Sequence, residues 1–326
     1  MFGNDDLRRE FYNIASVDQT GASRMVARAI EAGVNFFDTA DMYSFGRSEE
    51  MLGRAIKEAD IRRDEAIIAT KVYSPMSEAA MNGSGDLNNV GLSRHHIITA
   101  CEASLRRLGT DYIDLYQAHA WDPLTPVEET LRAFDDLVRQ GKVRYVGCSN
   151  WPARHLAKAL YMADARGWER FVALQAYYSL VGRDLEYELL SLCREEGLGV
   201  LVWSPLSGGF LSGKYRRDNQ TPDGARRNDF DFPPVDKERG FDAVDALDSI
   251  AKEKQATVAQ VALAWLLARP GVTSVIIGAG KMSHLEDNLK GADVRLSDEE
   301  MERLSEITAP LAIYPQWMIE LQTTGR

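Results

Sequence analysis

The sequence predicts a (β/α)8 TIM barrel, a closed ring of parallel strands surrounded by helices, spanning residues 1–326 as one domain. Short runs of β-branched and aromatic residues alternate with longer amphipathic runs, which is typical of strand–helix–strand units around a parallel sheet. The competing fold, an open nucleotide-binding sheet, should carry a Gly-x-Gly-x-x-Gly turn after its first strand. The sequence has no such turn, so the barrel is favoured.

Seven strands are predicted, most of them continuously apolar, as in strands buried on both faces. They are Val34–Thr39, Ala66–Tyr73, Ile113–His119, Val143–Asn150, Ala173–Ser179, Gly199–Pro205 and Thr273–Gly278. A barrel of this type needs eight. The first predicted helix, about Gln19–Ala32, precedes the first visible strand. Either Arg9–Ser16 is an irregular first strand, or the chain begins just after that strand, and we favour the second interpretation.

Capping residues predict where several helices begin. Ser93 is expected to cap a helix that ends at Gly109, and Ser297 with Glu300 forms a capping box. Thr125 with Glu128 predicts another box, with Pro126 as the first helical residue.

Two long connections follow predicted strands, at Ser74–Gly91 and Ser207–Gly240. Both are therefore expected on the carboxyl face of the barrel, where such enzymes keep their active sites. Residues 207–240 are expected to cover a cofactor. The apolar C-terminal tail, 311–326, either folds over the barrel mouth or packs on the outside.

The composition excludes several classes of function. A formal net charge of −11 argues against nucleic acids and anionic membranes as partners. The three cysteines are far apart, so neither a disulfide framework nor a zinc site is predicted, and a reducing compartment fits best. No apolar run reaches the roughly 18 residues of a membrane span. The polar N-terminus does not resemble a signal peptide, so a cytoplasmic protein is expected.

Four titratable side chains are predicted to converge at one end of adjacent strands. Asp38, Lys71 and His119 end the first three visible strands, and Tyr43 lies on the loop after the first. A strand-end Asp is more often a cap, and a lone Lys, Tyr or His is usually surface or structural. Their coincidence at one rim favours a catalytic site.

This set suits the reduction of a carbonyl group. A phenol has a pKa of about 10, and a nearby cationic lysine lowers it. Tyr43 would be the acid, Lys71 would tune it, Asp38 would hold Lys71, and a neutral His119 would orient the carbonyl oxygen. The hydride then requires a nicotinamide cofactor. Four later residues could build its site: Ser149, Asn150 and Gln175 for the carboxamide, and Trp203 for the ring.

Seven segments resemble the signature sequences of the aldo-keto reductase superfamily, in that family's order and over nearly the whole chain. They are FFDTADMY, IIATK, the histidine in IDLYQAH, VGCSN, LQAYYS, WSPLSGGFLSGKY and SVIIGAGKMSHLEDN. The pattern is most similar to the bacterial reductases and to the potassium-channel β-subunit-like branch. The resemblance implies a barrel that binds NADP(H) without a nucleotide-binding sheet, and it carries the catalytic tetrad onto Asp38, Tyr43, Lys71 and His119.

The resemblance also implies further cofactor contacts. Pyrophosphate contacts fall on Ser204, Pro205, Leu206, Ser207, Gly208 and Lys214, with Arg226 in the long loop. Adenosine-phosphate contacts fall on Gly278, Gly280, His284, Asp287 and Asn288. Related sequences often carry Arg or Ser at position 280 and Gln or Arg at position 284. Lys281 and Arg226 would compensate here, so NADP(H) is expected and NAD(H) remains an alternative.

The sequence leaves the substrate and the oligomeric state open. Tyr73, Trp121 and Trp317 are expected to line an aromatic pocket suited to small aldehydes or ketones with apolar bodies. Two other functions remain in view. One is a cofactor-binding regulatory subunit with little turnover, and the other is an aldolase that forms a Schiff base on Lys71.

Overall fold

The computed structural model describes residues 2–3, 17–76, 84–85 and 87–324. Within them, seven strands form one sheet in which each strand pairs in parallel with the next along the chain. The strands are β1 (Phe36–Asp38), β2 (Ile67–Val72), β3 (Ile113–Ala118), β4 (Val143–Ser149), β5 (Phe171–Tyr177), β6 (Gly199–Trp203) and β7 (Val272–Val275).

Helices connect successive strands and surround the sheet. They are α1 (Gln19–Glu31), α2 (Arg47–Glu58), α3 (Arg94–Leu108), α4 (Val127–Arg139), α5 (Ala153–Arg166), α6 (Leu189–Glu195), α7 (Lys237–Lys254), α8 (Val258–Leu267), α9 (Met282–Leu289), α10 (Asp298–Ile307) and α11 (Gln316–Thr323). Short 3-10 turns lie at Arg63–Glu65, Leu87–Asn89, Asp184–Glu186, Ser207–Ser212, Arg226–Asn228 and Lys290–Ala292.

The sheet is curled, and one hydrogen bond demonstrates it. Strands β1 and β5 are four positions apart, which in a flat sheet would separate them by about 19 Å. Yet Gln175 Nε2 on β5 lies 2.7 Å from Asp38 Oδ1 on β1. The side chains therefore meet across a barrel interior.

Alternation along each strand separates an inner from an outer face. Ala69, Leu115, Ala173 and Leu201 form a small apolar cluster inside the sheet, whereas Ile68, Tyr116, Leu174 and Val200 belong to the large core shared with the helices. Lys71, Gln175 and Trp203 each lie two residues after a member of this inner set, and Asp38 lies two residues after Phe36, which packs against the set. All four therefore point to the inner face. These polar and aromatic side chains therefore continue the inner face toward the carboxyl ends of the strands.

The predicted fold class is confirmed, and most strand bounds agree within two residues. Strand β5 begins two residues earlier and ends two residues earlier than predicted. The caps at Ser93 and Ser297 and the αL conformation of Gly109 are also confirmed. The segment Arg9–Ser16, one of the two sequence interpretations of the first strand, lies outside the described residues.

The capping box at Thr125 is wrong. Helix α4 begins at Val127, one residue later than predicted, and Pro126 precedes it without a side-chain cap. The Thr125 hydroxyl instead donates to Asp122 Oδ2 at 2.7 Å, because Asp122 organises the turn that precedes the helix.

The inner apolar cluster should contribute measurably to stability. Leu115→Ala is expected to lower the free energy of unfolding by about 2–5 kcal/mol, because it leaves a cavity in a packed interior where Leu115 is 5% exposed. Leu124→Ala is the matched control, since Leu124 is 91% exposed and should change stability by less than about 0.5 kcal/mol. Urea unfolding of both variants checks this, and equal effects would contradict the assignment of Leu115 to the interior.

Candidate active site

A buried ion pair joins the ends of the first two strands. Lys71 Nζ lies 2.6 Å from Asp38 Oδ2, and it also donates to the backbone carbonyl of Thr39 at 2.8 Å. The Lys71 side chain is fully buried and that of Asp38 is 7% exposed. A buried charge requires such partners, because an unpaired ammonium in the interior costs several kcal/mol.

Asp38 is held from the other side of the barrel as well. Its Oδ1 accepts from Gln175 Nε2 at 2.7 Å and from Gln117 Nε2 at 3.4 Å. Sequence reasoning missed Gln117. The available signal was its parity, because Gln117 lies two residues before His119 on the same strand and therefore shares its inward face.

Tyr43 lies on the turn between β1 and α2, beside this pair. Lys71 Nζ is 5.0 Å from the centroid of the Tyr43 ring, and the ring of His119 meets that ring edge-on with centroids 5.7 Å apart. Asp38, Tyr43, Lys71 and His119 thus come together as predicted from their positions at the strand ends.

The turn that carries Tyr43 is tightly specified. Ser44, Phe45 and Gly46 have φ values of 51°, 50° and 86°, in the left-handed region. A Cβ atom on Gly46 would lie 2.5 Å from Cδ of Arg107, so glycine is needed there both for its conformation and for space. Arg107 in turn is bound to the buried carboxylate of Glu49 at 2.7 Å.

The pKa shifts of Tyr43, Lys71 and His119 follow from burial and from their neighbours. Burial raises the pKa of Tyr43 and outweighs the opposing effect of Lys71, so the net shift is upward although Lys71 acts in the predicted direction. Burial alone would lower the pKa of Lys71, but Asp38 and Tyr43 raise it above its ordinary value. Burial, aided by Lys71, lowers the pKa of His119 to about 3, so its imidazole is neutral near pH 7.

Asn150 and Trp203, both predicted cofactor contacts, are bonded to each other. The Trp203 indole N–H donates to Asn150 Oδ1 at 3.1 Å. Asn150 Nδ2 donates to the His119 carbonyl at 3.1 Å and to Ser149 Oγ at 2.9 Å. Both ends of the Asn150 amide are therefore engaged within the protein, and they tie the ends of three strands together.

Aromatic rings and hydroxyl groups surround Trp203. Its ring lies 5.1 Å from that of Tyr177 and is stacked with that of Phe232, whose centroid is 5.9 Å away. The Tyr177 hydroxyl contacts Ser207 Oγ at 3.0 Å, which holds the ring of Tyr177 in place. Phe232 belongs to the long connection after β6, so that connection reaches the site.

The start of this connection, Ser204 to Gly208, is a tight turn. Ser204, Ser207 and Gly208 have φ values of 52°, 49° and 65°, and the N–H of Gly208 donates to Ser204 Oγ at 3.1 Å. Pro205 and Leu206 lie within the turn. The N–H of Ser207 also donates within the turn, to the Ser204 carbonyl at 2.8 Å, so Ser204 holds both residues in place.

Arg227, the neighbour of the predicted pyrophosphate contact Arg226, anchors the long connection. Its buried guanidinium donates to the carbonyl of Ser207 at 2.8 Å and to that of Pro233 at 2.9 Å, and it pairs with Asp231. Arg226 is exposed and has no ion pair with any residue that the structure describes. The sequence offers no signal to tell which of two adjacent arginines points inward.

A second predicted group of residues follows β7 and carries positive charge. His284 lies close enough to Lys214 and Lys281 that, after burial, these two cations lower its pKa, while Asp287 opposes them. Neither Lys214 nor Lys281 has an acidic partner within the described ranges. Gly278 and Gly280 are exposed, and a Cβ at Gly278 would meet open space.

Asp287 and Asn288 face the body of the protein. Asp287 Oδ1 accepts from Gln260 Nε2 at 2.7 Å and Oδ2 accepts from the Thr257 hydroxyl at 3.0 Å, which fastens α9 to the start of α8. Asn288 is buried on the same helix. Asp287 therefore already has a structural role.

The three predicted substrate residues are not equally placed. Tyr73 and Trp121 are half-buried and follow β2 and β3, on the same rim as Lys71 and His119. Trp121 stacks on His155 with centroids 3.9 Å apart. Trp317 on α11 is 43% exposed and lies beside Tyr314. The tail is fastened to Tyr187, which follows β5, so it begins on the carboxyl side of the barrel.

The described residues form neither a metal site nor a membrane-spanning helix. No group of three or more His, Cys, Asp or Glu side chains there could hold a metal ion. None of the helices in the part of the chain that the structure describes is long and apolar enough to cross a membrane.

The barrel and its rim of Asp, Tyr, Lys and His define an NAD(P)H-dependent oxidoreductase, and residues 4–309 match the model of the aldo/keto reductase family. The chain belongs to that family. It is 38% identical to the uncharacterized oxidoreductase YrpG of Bacillus subtilis over 89% of this chain and 87% of the relative. It is 35% identical to versiconal hemiacetal acetate reductase of Aspergillus parasiticus, over 89% and 88%. It is also 38% identical to a probable voltage-gated potassium channel subunit beta of Arabidopsis thaliana, over 80% and 79%.

Gly46 offers a test of the turn that carries Tyr43. Gly46→Ala should destabilise the fold by about 1–3 kcal/mol more than Gly33→Ala, because both positions have left-handed φ values but only Gly46 abuts Arg107. Thermal unfolding of the two variants measures the difference. Equal losses would mean that backbone strain alone accounts for the cost and that the contact with Arg107 is unimportant.

Proposed function

We propose that this protein catalyses the reversible, NADPH-dependent reduction of an aldehyde or ketone to an alcohol, with Tyr43 as the general acid. One observation carries the proposal. Lys71 Nζ lies 2.6 Å from Asp38 and 5.0 Å from the centroid of the Tyr43 ring, and the ring of His119 meets the phenol edge-on. A cation beside a phenol stabilises the phenolate that remains after proton donation.

Each residue has one part in the proton transfer. Tyr43 gives its phenolic proton to the carbonyl oxygen, and Lys71 balances the charge left on the phenolate. Asp38, held by Gln175 and Gln117, keeps Lys71 protonated and fixed. His119 is neutral, so its ring can donate to the carbonyl oxygen without adding a second cation. Its Nδ1 is buried without a hydrogen-bond partner in the described chain.

The residues present fit a nicotinamide dinucleotide. When bound, NADPH supplies the hydride that adds to the carbonyl carbon. Lys214 and Lys281 lie together near His284 without an acidic partner in the described ranges, which suits phosphate groups. At the other end, Trp203 offers a ring for stacking, and Gln175 Oε1 and Ser149 offer polar contacts. The connection 207–240 would cover the cofactor, because Phe232 already reaches Trp203.

The rim favours carbonyl compounds with apolar bodies. Tyr73 and Trp121 follow the strands that carry Lys71 and the histidine, so they would flank a substrate held at Tyr43. The tail with Trp317 begins on the same side and would narrow the entrance. Free, buried Cys101, Cys148 and Cys193 fit a reducing, cytoplasmic compartment.

A cofactor-binding regulatory subunit is the second candidate. It is favoured by relatives named as potassium-channel β subunits in Arabidopsis thaliana and Schizosaccharomyces pombe. The complete set of four catalytic side chains favours turnover. The aldolase hypothesis loses support, because a Schiff-base lysine must be uncharged to attack, whereas Asp38 and Tyr43 raise the pKa of Lys71.

Removing the acid separates catalysis from cofactor binding. Tyr43→Phe should lower kcat for aldehydes by about a hundredfold or more, because general acid catalysis contributes on this scale. NADPH affinity, followed by fluorescence titration, should change little. Tyr145→Phe is the matched control, since Tyr145 is 61% exposed at the other end of β4.

Lys71→Met should reduce kcat by a similar factor, because it removes the cation that stabilises the Tyr43 phenolate. Wild-type turnover in Tyr43→Phe would disprove the mechanism. Tight NADPH binding with no turnover by the wild-type protein would instead favour the regulatory subunit.

The basic group near His284 predicts the choice of cofactor. Lys281→Ala should lower the preference for NADPH over NADH about tenfold, because a charge-assisted bond to the 2′-phosphate is lost and NADH makes no such bond. Ratios of kcat/KM for the two cofactors measure this. Lys252→Ala, on a 76% exposed side chain of α7, is the control. Equal losses for both cofactors would contradict the assignment of Lys281 to the 2′-phosphate.

A further inference from the structure

Asp41 is a second carboxyl three residues beyond Asp38, and the proposed chemistry does not use it. It is fully buried in the turn between β1 and α2. Its Oδ1 accepts from the N–H of Met42 at 2.6 Å, and its own N–H donates to the Lys71 carbonyl at 3.2 Å. Its Oδ2 is buried and has no hydrogen-bond partner among residues 2–3, 17–76, 84–85 and 87–324.

The cations that face Asp41 are committed elsewhere. Lys71, on β2, pairs with Asp38, and Arg107, on α3, pairs with Glu49. Neither forms an ion pair with Asp41 in the described structure, and both only weakly favour its charged form.

The one other charged neighbour of Asp41 in the described structure, Glu49, opposes a charge on it. Glu49 on α2 is itself fully buried, and it accepts from the Thr70 hydroxyl at 2.6 Å as well as from Arg107. Tyr43 on the same turn and Tyr116 on β3 also face this carboxyl. Burial, followed by repulsion from Glu49, raises the pKa of Asp41 well above its ordinary value. An unpaired carboxylate in such a place takes up a proton instead of remaining charged.

We propose that Asp41 is a positioning residue for Tyr43 whose carboxyl is uncharged in the folded protein at neutral pH. It fixes the start of the turn that carries the acid without placing a second anion beside Lys71. The positioning role rests on the proposed function, whereas the uncharged carboxyl does not.

The turn begins at Asp41 and leads directly to the phenol. Asp41 is bonded to Lys71 through its backbone and to Met42 through its side chain. The next bonds, from the N–H of Tyr43 to Ala40 and from the N–H of Ser48 to the Tyr43 carbonyl, complete the turn. Asp41 thus links the backbone at Lys71 to the residue before Tyr43.

A charge at Asp41 would oppose the chemistry. A negative group there raises the pKa of Tyr43, as Asp38 already does, and so disfavours the phenolate that Lys71 stabilises. A neutral carboxyl keeps the hydrogen bond to Met42, and the charges that set the pKa of Tyr43 are then those of Asp38 and Lys71 alone.

The charge of Asp41 can be measured without any activity. In the unfolded chain the carboxyl ionises at about pH 4, whereas the raised folded-state pKa delays ionisation, so the wild type loses stability as pH rises between the two values. The melting temperature of Asp41→Asn minus that of the wild type should therefore increase as the pH rises from about 5 to beyond 7.

Asp64→Asn, on a 68% exposed side chain, is the control, and its difference from the wild type should be flat over this range. A flat difference for Asp41→Asn as well, or one that levels off below neutrality, would overturn the uncharged carboxyl.

Kinetics test the positioning role. Asp41→Ala removes the acceptor for Met42 and should lower kcat by about tenfold or more, with NADPH affinity unchanged, because small displacements of a catalytic group are costly. Asp41→Asn keeps an acceptor oxygen, so its kcat should fall much less than that of Asp41→Ala. Its kcat should also decline on the alkaline side at the same pH as in the wild type.

A kcat equal to that of the wild type in Asp41→Ala would overturn the positioning role. A fall of kcat that begins at lower pH in Asp41→Asn than in the wild type would show that Asp41 carries a negative charge. If the wild type turns over no carbonyl compound, the proposed function and the positioning role fail together. The melting curves would still decide whether the carboxyl is charged.

Discussion

The buried ion pair between Lys71 and Asp38 is the interaction on which the rest of the site depends. Two charges inside a protein are tolerated only when their geometry and additional hydrogen bonds offset the loss of solvation. Here Lys71 gains the Thr39 carbonyl, and Asp38 gains the amides of Gln175 and Gln117. The pair and these partners lie on or directly after four strands, β1, β2, β3 and β5, so the pair is satisfied only when the sheet curls and brings β1 opposite β5.

The same constraint separates the roles of two carboxyl groups that are close in sequence. Asp38 is the last residue of β1, and its side chain faces the barrel interior and pairs with Lys71. Asp41 lies in the following turn, against Glu49 and away from any free cation in the described chain. Environment, rather than residue type, assigns one carboxyl to charge and the other to hydrogen bonding. Both carboxyl groups are close enough to act on the pKa of Tyr43, so its acidity depends on both assignments.

Much of this arrangement could be predicted from sequence, because parallel strands buried on both faces give recognisable apolar runs and their carboxyl ends meet at one rim. That logic brought Asp38, Lys71 and His119 together. It could not find the Asp122 turn that displaces the start of α4, since the sequence pattern of Thr125 and Glu128 matches a capping box that the structure does not form. It also could not identify Arg227 as the internal anchor of the long connection, because which of two adjacent side chains points inward depends on packing by that connection.

The two ends of the proposed cofactor site differ in how much of their bonding is complete within the protein. At the catalytic end, Asn150, Trp203 and Gln175 are already bonded to their neighbours, so little order remains to be imposed when a ligand binds. At the other end, Lys214 and Lys281 both lower the pKa of His284 and have no acidic partner among the described residues. An anionic group would offset this positive charge. Binding free energy would therefore come mainly from the phosphates, remote from the reacting atoms, while the rigid catalytic end provides orientation.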